Sequence, residues 1–420
     1  MKYRAPKGVS EYFPPRSHAF ERVREALLAP IRGSGYHLVE LPVFEETELF
    51  RRGVGPSTDV VTKEMYTFED RGGRSITLRP EGTVGALRCI IEHGLDRGPL
   101  PVKVFYSGQY FRAERPQAGR YRQFYQVGLE AIGSNDPALD AEIISIAYAG
   151  FQAVGLKRFT LEITSLGDKA SRAAHRCELM KFISGINIDE DTRARADINP
   201  LRLFDDKRKE VREMMADAPI LLDFLSEESS THFESVQKYL RAMNIDFRIN
   251  SRLVRGLDYY TGTTFEFVHE MLGAQSAIGG GGRYDGLMEE IGGQPLTGIG
   301  FGLGIDRALL AAEAEGAIDD ESSSVDLYVI PLGDVAKSVA LLLNQELRPL
   351  GKRIDIAFGD RMLKSAMKVA DKSGAKYVLI IGDSELESGQ AQIRDMRTGQ
   401  STSVTLTSLK STLSQESWIW

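Results

Sequence analysis

The stretch Leu253–Phe267, which reads LVRGLDYYTGTTFEF, narrows the possible folds and functions of this chain more than any other. Its second half has the β-branched and apolar character of a strand, whereas its first half carries an Arg-Gly pair, an aspartate and two tyrosines. In a plain core strand each of these polar groups would need a partner. The segment therefore either lines a polar site or lies at a solvated sheet edge.

The composition is that of a globular protein. The chain has 420 residues, 42% of them hydrophobic and 26% charged, enough for about two or three cores. The net charge of −7 argues against a general basic coat for nucleic acid but not against a local basic site. Two cysteines are too few for a disulfide framework, which favours a reducing compartment. No stretch has the roughly 20 apolar residues of a membrane helix, so we expect a cytoplasmic protein without a membrane segment.

The N-terminal quarter predicts a helix, a strand and a second strand-helix unit. Apolar spacing over Arg16–Arg32 predicts an amphipathic helix, and HLVELPVFEE then predicts a strand up to Pro42, a residue typical of an edge or of a crossing between subunits. Ser75–Thr83 predicts a short strand leading into a helix. Glu81 and Thr83 then either cap that helix or hold a substrate ammonium group.

The segment Val102–Gly133 predicts a hairpin with one polar face. The period of two puts apolar residues on one face of its second strand. The other face carries an aromatic ring, an amide, a glycine and a carboxylate, from Phe124, Gln126, Gly128 and Glu130. The intervening turn is rich in arginine, with Arg112, Arg115, Arg120 and Arg122. Such a turn is usually solvated, but beside a polar wall it favours contact with a polyanion.

Glycines form a second pattern. Four consecutive glycines at 279–282 precede Arg-Tyr-Asp, which indicates either a flexible linker or a place where the backbone approaches a ligand closely. TGIGFGLGIDRALL then sets glycines at 298, 300, 302 and 304 on one strand face, before Asp306 and Arg307 open a helix. A bare glycine face would form a floor for a flat ligand. Neither the P-loop pattern nor a dinucleotide-binding fingerprint is evident.

Changes in composition and pattern along the sequence also predict domain boundaries. Short charged helical pieces at about 168–243 indicate a helical module inserted in a larger sheet domain, and residues 313–324 indicate a polar linker. Beyond the linker, strands and helices alternate as in a separate small α/β domain. We therefore expect a catalytic or binding domain at 1–324 and a second domain at 325–420.

Together these patterns resemble the three motifs of class II aminoacyl-tRNA synthetases: a helix-strand-Pro start, FRAE at Phe111–Glu114 with RQF downstream, and a glycine strand ending in Asp-Arg. LVRGLDYYTGTTFEF and GGGGRYD are similar to the two signature segments of the histidyl-tRNA synthetase family. The resemblance spans the whole chain, and Asp306, where the family often has Glu, is a small departure. It implies an α+β fold with an antiparallel six- to seven-stranded catalytic sheet flanked by helices, a helical insertion, and a C-terminal α/β anticodon-binding domain.

The resemblance also implies an activity. Such a protein activates L-histidine with ATP to histidyl-adenylate and transfers histidine to the 3′ end of tRNA(His). It implies a homodimer built on the first helix and the Pro42 region. ATP with Mg²⁺ would be a substrate, and neither a tightly bound cofactor nor a dedicated metal cluster is expected.

The same resemblance assigns roles to residues of this chain. Catalysis would be positioning plus charge stabilisation by Arg112, Arg255 and Arg307. The residues implied for histidine are Glu81, Thr83, Gln126, Glu130, Tyr259, Tyr260 and Tyr284. The residues implied for ATP are Arg112, Glu114, Arg120, Phe124, Gly302, Gly304 and Arg307. Phe124 would stack on adenine, and Arg120 with Arg307 would reach the outer phosphates.

One geometric condition follows. Along an unbroken strand Arg255 and Tyr260 have opposite parity, so we predict a bulge or loop near Gly256 that lets both face one site. Two other functions are considered: a histidine-sensing regulatory subunit that keeps the synthetase core, and an RNA-binding scaffold. The presence of the arginines and of the terminal domain disfavours a regulatory subunit. An RNA-binding scaffold would give the arginine, glycine and aromatic residues no role.

Overall fold

The computed structural model describes residues 3–56, 58–204, 206, 208–318, 325–359, 362–409 and 411. These residues divide into two compact units, one within 3–12 and 19–318 and the other within 13–18 and 325–411. The predicted linker at 313–324 is only partly described. Its first residues belong to a helix that ends at Glu315, and the Glu315 side chain accepts from the backbone N–H groups of Lys157 and Arg158.

The larger unit is built on strands joined by helices. Its strands are β1 (His37–Leu38), β2 (Phe44–Glu46), β3 (Thr67–Glu69), β4 (Ser75–Leu78), β5 (Val102–Phe111), β6 (Gln123–Ile132), β7 (Phe159–Ser165), β8 (Arg248–Ile249), β9 (Thr261–His269), β10 (Ala277–Arg283) and β11 (Gly298–Gly304). Its helices are α1 (Arg16–Gly33), α2 (Thr47–Val54), α3 (Thr83–Glu92), α4 (Pro137–Val154), α5 (Lys169–Ser184), α6 (Glu190–Ile198), α7 (Lys209–Met214), α8 (Glu227–Ala242), α9 (Leu287–Glu290) and α10 (Ile305–Glu315).

The main sheet differs from the expected one in size and direction. In the part of the chain that is described it has eight strands in the order β1-β5-β6-β11-β10-β9-β7-β8, and it is mixed rather than purely antiparallel with six to seven strands. The six central strands are antiparallel throughout. The additional strands β1 and β8 are two residues long and pair parallel at the two edges. Strand β8 was not predicted, because so short an edge strand leaves no clear alternation in the sequence.

One face of the main sheet carries the hydrophobic core. On β6, Val127, Leu129 and Ala131 are fully buried against helices α1, α4 and α10. Helix α4 is fixed at its start, where the Asp136 side chain accepts from the backbone N–H of Ala138 at 2.8 Å. Because side chains alternate along a strand, the next residues of β6 face the opposite side of the sheet.

The first predicted strand is shorter than expected. It pairs only over His37–Leu38, and the chain then passes through Pro42 into the separate small sheet of β2, β4 and β3. Proline has no N–H to donate, so the ladder does not continue through it. The large side chains of Leu38, Phe44 and Phe68 are 60%, 55% and 46% exposed in this single chain.

The expected irregularity near Gly256 is confirmed. Residues 250–260 form turns and coil, and β9 begins only at Thr261. The predicted helical segment at about 168–243 contains α5 to α8 and, among its described residues, no strand.

The smaller unit is an α/β layer. Its strands are β12 (Leu327–Pro331), β13 (Ile354–Ile356), β14 (Tyr377–Ile381), β15 (Gln390–Asp395) and β16 (Ser401–Thr405), and its helices are α11 (Asp334–Leu347), α12 (Leu363–Lys372) and α13 (Asp383–Ser388). The strand order is β13-β12-β14-β15-β16, with the first three strands parallel and the last two antiparallel. Residues 412–420 at the end of this predicted domain lie outside the described residues.

Candidate active site

The polar face of β6 forms one wall of the candidate site. Gln126, Gly128 and Glu130 alternate with the core residues and lie on the face away from the core. Gly128 pairs with Tyr106 on β5 and with Gly302 on β11. A Cβ at Gly128 would lie 2.0 Å from Cε2 of Tyr106, so only glycine lets that ring cross the strand.

Glu130 is a fully buried carboxyl group surrounded by hydroxyl groups. Its Oε1 accepts hydrogen bonds from Thr83 at 2.8 Å and Tyr106 at 2.7 Å, and its Oε2 accepts from Tyr284 at 2.6 Å. Burial raises the pKa of Glu130 to about 8, although the three hydroxyl groups act to lower it. The wall therefore contains a carboxyl group that is largely protonated at neutral pH.

The glycine strand β11 is open to a ligand only in part. A Cβ at Gly298 would lie 2.2 Å from Cε2 of Tyr284, and a Cβ at Gly300 would lie 1.9 Å from Oε2 of Glu130. The protein's own side chains thus occupy the space above these two glycines. The other two glycines, whose nearest neighbours would be 3.5 Å from a Cβ, are Gly302 and Gly304. Only this half of the strand can form the expected flat floor.

Glu81 is a helix cap in this structure. Its carboxylate accepts from the backbone N–H groups of Thr83 at 2.8 Å and Val84 at 3.0 Å, at the start of α3. Burial raises the pKa of Glu81, while the two amides and the charge of Arg112 oppose the shift. A carboxylate has about four lone-pair sites, so capping leaves it able to accept from an ammonium group as well.

Two of the three expected catalytic arginines have fixed positions beside this wall. Nε of Arg112 donates to the carbonyl oxygen of Pro80 at 3.0 Å, and its guanidinium carbon lies 5.3 Å from the ring centroid of Phe124. Arg255 pairs through Nη1 with Oε1 of Glu266, the residue opposite Gly280 on the sheet. Its buried Nε has no hydrogen-bond partner among the described residues.

The third arginine approaches from the start of α10. Nη1 of Arg307 donates to the carbonyl oxygen of Ala277 at 2.7 Å, and its Nε donates to that of Gly119 at 2.8 Å. Burial lowers the pKa of Arg307, and neighbouring positive charges lower it further. Those charges belong to Arg112, Arg120 and Arg255. The structure therefore brings four guanidinium groups, from separate parts of the chain, into mutual electrostatic range.

Asp306, the small departure from the family pattern, ties α10 to this wall. Its Oδ2 accepts from the backbone N–H of Tyr125 at 2.6 Å and its Oδ1 accepts from the hydroxyl of Tyr12 at 2.5 Å. The aspartate side chain thus reaches β6 from the start of α10.

The charges of the hairpin turn are partly paired within the protein. Nε of Arg120 forms an ion pair with Glu114, and its Nη2 lies 4.0 Å from Oε1 of Glu64. The side chain of Glu114 is only 8% exposed. The turn thus combines a cation with two carboxylates.

The tyrosines of the opening stretch complete the other side of the site. The ring centroids of Tyr259 and Tyr260 lie 4.7 Å apart, and those of Tyr259 and Tyr284 lie 6.0 Å apart. The guanidinium carbon of Arg255 lies 5.6 Å from the centroid of Tyr260. The loop at 250–260 therefore lets the arginine and the tyrosine, which have opposite parity, meet.

Two residues of this site were not predicted from the sequence. Tyr106 donates to Glu130, and the only hint was its place on β5 opposite a glycine. Glu266, the counter-ion of Arg255, lies inside the opening stretch. A carboxylate on the same strand face as Gly280 and Gly282 was the signal that could have revealed it.

This arrangement suits a reaction between anions. It combines several fixed cations, a half-open glycine floor and a separate pocket lined by carboxyl and phenol groups. In the described ranges, no group of three or more His, Cys, Asp and Glu residues is arranged to hold a metal ion. Over the same ranges, the helices lack the combined length and apolar character needed to cross a membrane.

The fold and this set of residues define the class II aminoacyl-tRNA synthetases. A sequence model described as histidyl-tRNA synthetase matches residues 8–308, and one described as anticodon binding domain matches residues 326–416. The chain belongs to the histidyl-tRNA synthetase family.

Curated relatives and solved structures agree with this family. Proteins named Histidine--tRNA ligase from Saccharopolyspora erythraea and Nocardia farcinica are 58% and 59% identical over 404 residues, which is 96% of this chain and 96% of each relative. The apo histidyl-tRNA synthetase of S. aureus has a TM-score of 0.81 at 36% identity, over 98% of this chain and 100% of that chain.

A chain described as an ATP phosphoribosyltransferase regulatory subunit/histidyl-tRNA synthetase from Bacillus halodurans has a TM-score of 0.70 at 20% identity. It covers 91% of this chain and 98% of its own length. At this identity the likeness concerns the fold alone.

Proposed function

We infer that this chain activates L-histidine with ATP to form histidyl-adenylate and diphosphate, and then transfers histidine to the 3′ end of tRNA(His). The observation that carries this function is the identity of 58% over 96% of both chains with a protein named Histidine--tRNA ligase. The matches to both family domains agree with it. The anticodon-binding domain identifies tRNA as the macromolecular substrate.

The chemistry explains why the site holds so many arginines. The histidine carboxylate attacks the α-phosphate of ATP, so two anions must meet. At ~3.5 Å and an effective dielectric of ~20, two unit charges repel by roughly 5 kcal/mol, enough to slow a reaction by several orders of magnitude. We propose that Arg112 and Arg255 neutralise the α-phosphate and the reacting carboxylate. Their fixed partners, Pro80 and Glu266, support this role because the charges need no reorganisation during the reaction.

The histidine substrate is proposed to bind between β6 and the tyrosine loop. Glu81 and Thr83 hold its ammonium group, with Gln126 nearby. The residues proposed to bind the imidazole ring are Glu130, Tyr259, Tyr260 and Tyr284. A buried site that hydrogen-bonds both ring nitrogens leaves polar groups unpaired with any apolar analogue, which gives discrimination on the order of 10⁴.

ATP is proposed to lie across the open half of the glycine strand. Phe124 stacks on adenine over Gly302 and Gly304, where a Cβ would have no close neighbour. Arg307 and Arg120 contact the outer phosphates, and Glu114 orients Arg120. Mg²⁺ arrives as part of the ATP substrate and spreads the charge of those phosphates.

Domain roles and assembly follow from the same proposal. Residues 1–324 form the catalytic domain with the helical insertion at about 168–243, and residues 325–420 form the anticodon-binding domain. We also propose a homodimer that covers the region around Pro42, where Leu38 and Phe44 are exposed in the single chain, together with Phe68 of the small sheet. Because its substrates ATP and tRNA are used in translation, we place the enzyme in the cytoplasm.

The first test separates the enzyme from a histidine-sensing regulatory subunit with the same fold. With histidine and Mg·ATP present, the protein should exchange labelled pyrophosphate into ATP in the absence of tRNA. Exchange requires reversible adenylate formation, which a sensor that only binds histidine does not perform. Folded protein that binds histidine but gives no exchange would support the regulatory function instead.

A second test concerns the smaller unit. A protein that ends at residue 324 should keep pyrophosphate exchange, because the arginines and the histidine pocket lie in the larger unit. It should charge tRNA(His) at least ~100-fold more slowly, since it has lost the surface that binds the anticodon. Charging at the full rate by the shortened protein would refute the assignment of this domain.

A further inference from the structure

The loop at 250–260 depends on other segments for its shape. It carries three residues of the proposed site, Arg255, Tyr259 and Tyr260, yet it has no regular secondary structure. Backbone polar groups outside helices and ladders still need partners when they are buried. The origin of those partners shows what holds the catalytic arginine in place.

Most of the recorded partners of residues 256–260 come from the helical module. Nη2 of Arg202, in the 3₁₀ turn Pro200–Leu203, donates to the carbonyl oxygen of Gly256 at 2.9 Å and to Oδ1 of Asp258 at 3.3 Å. Nδ2 of Asn199 donates to the same Asp258 oxygen at 3.1 Å. Further along, Nη1 of Arg172 on α5 donates to the carbonyl oxygen of Tyr260 at 3.3 Å. These three side chains hold both ends of the segment.

Asp258 is also enclosed from the opposite direction. A Cβ placed at Gly55, just after α2, would lie 3.1 Å from Cβ of Asp258 and 3.2 Å from its Oδ2. Gly55 has a φ of 99°, a conformation that side chains other than glycine rarely adopt. The aspartate therefore lies between Gly55, at the end of α2, and the helical module.

The contact between module and loop is not close-packed. A cavity of about 210 Å³ separates them, lined on the module side by Arg172, His175 and Leu201 and on the loop side by Val254, Arg255 and Tyr260 among others. Apolar packing cannot act across an open space of this size. Apolar contacts outside the helical module also hold the loop, since Leu257 packs beside Phe50 and Tyr259 beside Leu87. On the module side, the hydrogen bonds at the rim of the cavity fix the position of Gly256 and Asp258.

We propose that Asn199 and Arg202 of the helical module are positioning residues for adenylate formation, acting through Asp258 on Arg255 and Tyr260. The module is then part of the machinery for the first reaction step, before any tRNA is bound. This inference rests on the proposed function, because it assumes that the loop contributes to histidine activation.

The energetics separate this role from a purely structural one. Asp258 and Arg202 are 24% and 28% exposed, and one partly solvated ion pair contributes at most modestly to global stability. Catalysis is more sensitive, since a displacement of about 1 Å at a reacting group can lower a rate by roughly 100-fold. A positioning role therefore predicts a loss of activity without a matching loss of stability.

The test uses the full-length double variant Asn199→Ala/Arg202→Ala in pyrophosphate exchange without tRNA. We expect the KM for histidine to rise about 10-fold and kcat to fall about 10-fold, with the KM for ATP within about twofold of its original value. The melting temperature should match that of Arg195→Ala. This control removes a module arginine that pairs with Asp206 inside the module and does not contact the loop.

Adding Asp258→Ala to the double variant gives a second readout. If the module acts through Asp258, this third change causes little further loss, because the link is already broken. Should the double variant fail to fold, Asn199→Ala alone must still raise the KM for histidine at least about threefold. Kinetic constants equal to those of the Arg195→Ala control would overturn the proposal while leaving the enzyme's function intact. Absence of exchange in the unmodified protein would instead remove the proposed function itself.

Discussion

Replacing Arg255 with alanine should slow histidyl-adenylate formation at least ~100-fold while the protein stays folded. Arg255 is one of four guanidinium groups in mutual range, and it is held by Glu266 beside the glycine strand. Without it, a net negative charge from Glu266 would replace a cation where the carboxylate and the α-phosphate must meet. Both the lost attraction and the new repulsion raise the barrier. Single-turnover formation of the adenylate measures the effect directly.

Two further variants separate chemistry from stability. Arg255→Ala/Glu266→Gln also removes the negative charge that faced Arg255, and it should recover only part of the rate. Arg158→Ala is the matched control, since Arg158 pairs with Glu270 where both side chains are more than half exposed. If Arg255→Ala loses less than threefold in rate, Arg255 has no part in the chemistry.

The second large effect is expected at Glu130. Glu130→Ala should lower kcat/KM for histidine about 1000-fold, because it removes the buried acceptor for imidazole and leaves three hydroxyl groups without theirs. Nucleotide binding, measured separately by calorimetry, should change little. Tyr284→Phe keeps the carboxyl group and should lose only about 10-fold. Glu142→Ala is the control, since this carboxylate of α4 pairs with Lys103 at 2.8 Å and has no proposed part in histidine binding.

The raised pKa of Glu130 gives this prediction a pH dependence. With a pKa of about 8, free Glu130 holds a proton at neutral pH, whereas the free imidazole ring, with a pKa of about 6.5, is mostly neutral. At a pH between these two pKa values, free Glu130 and the free imidazole ring together carry one proton. A complex that shares this proton therefore forms without taking up or releasing a proton. Above about pH 8, Glu130 must first regain its proton, so histidine affinity falls.

Titration of histidine binding against pH checks this sign. Affinity should be highest between the two pKa values and weaken on both sides. In Glu130→Gln the group cannot titrate, so the decline on the alkaline side should shift towards the pKa of the histidine amino group. If histidine affinity falls over the same alkaline pH range in the unmodified protein and in Glu130→Gln, Glu130 is not the cause of the fall.

Sequence patterns could predict the parts of this site that depend on alternation. The period of two on β6 put Gln126, Gly128 and Glu130 on one face, and parity alone indicated a break near Gly256. Both follow from backbone geometry that any strand obeys. The hairpin strands β5 and β6 and the glycine strand β11 were predictable for the same reason, whereas the four glycines of β10 left both a linker and a ligand contact open.

Features that depend on packing between distant segments could not be predicted. Nothing in the sequence distinguishes Gly300, which is filled by Glu130, from Gly302, which is open. The pairing of Arg255 with Glu266, and the reach of Tyr106 across Gly128, depend on strand register. The two-residue edge strand β8 is too short to leave a pattern. These properties arise only when the segments meet.

The cap formed by Glu81 has a consequence for how an amino acid is selected. Both carboxylate oxygens of Glu81 already accept from backbone N–H groups of α3. The side chain therefore has a fixed conformation before the ammonium group of the amino acid binds. Binding then loses little side-chain entropy at this point. Replacing Glu81 with aspartate would shorten the side chain and weaken both the start of α3 and the binding of the ammonium group. Substitutions at this position therefore change the two properties together.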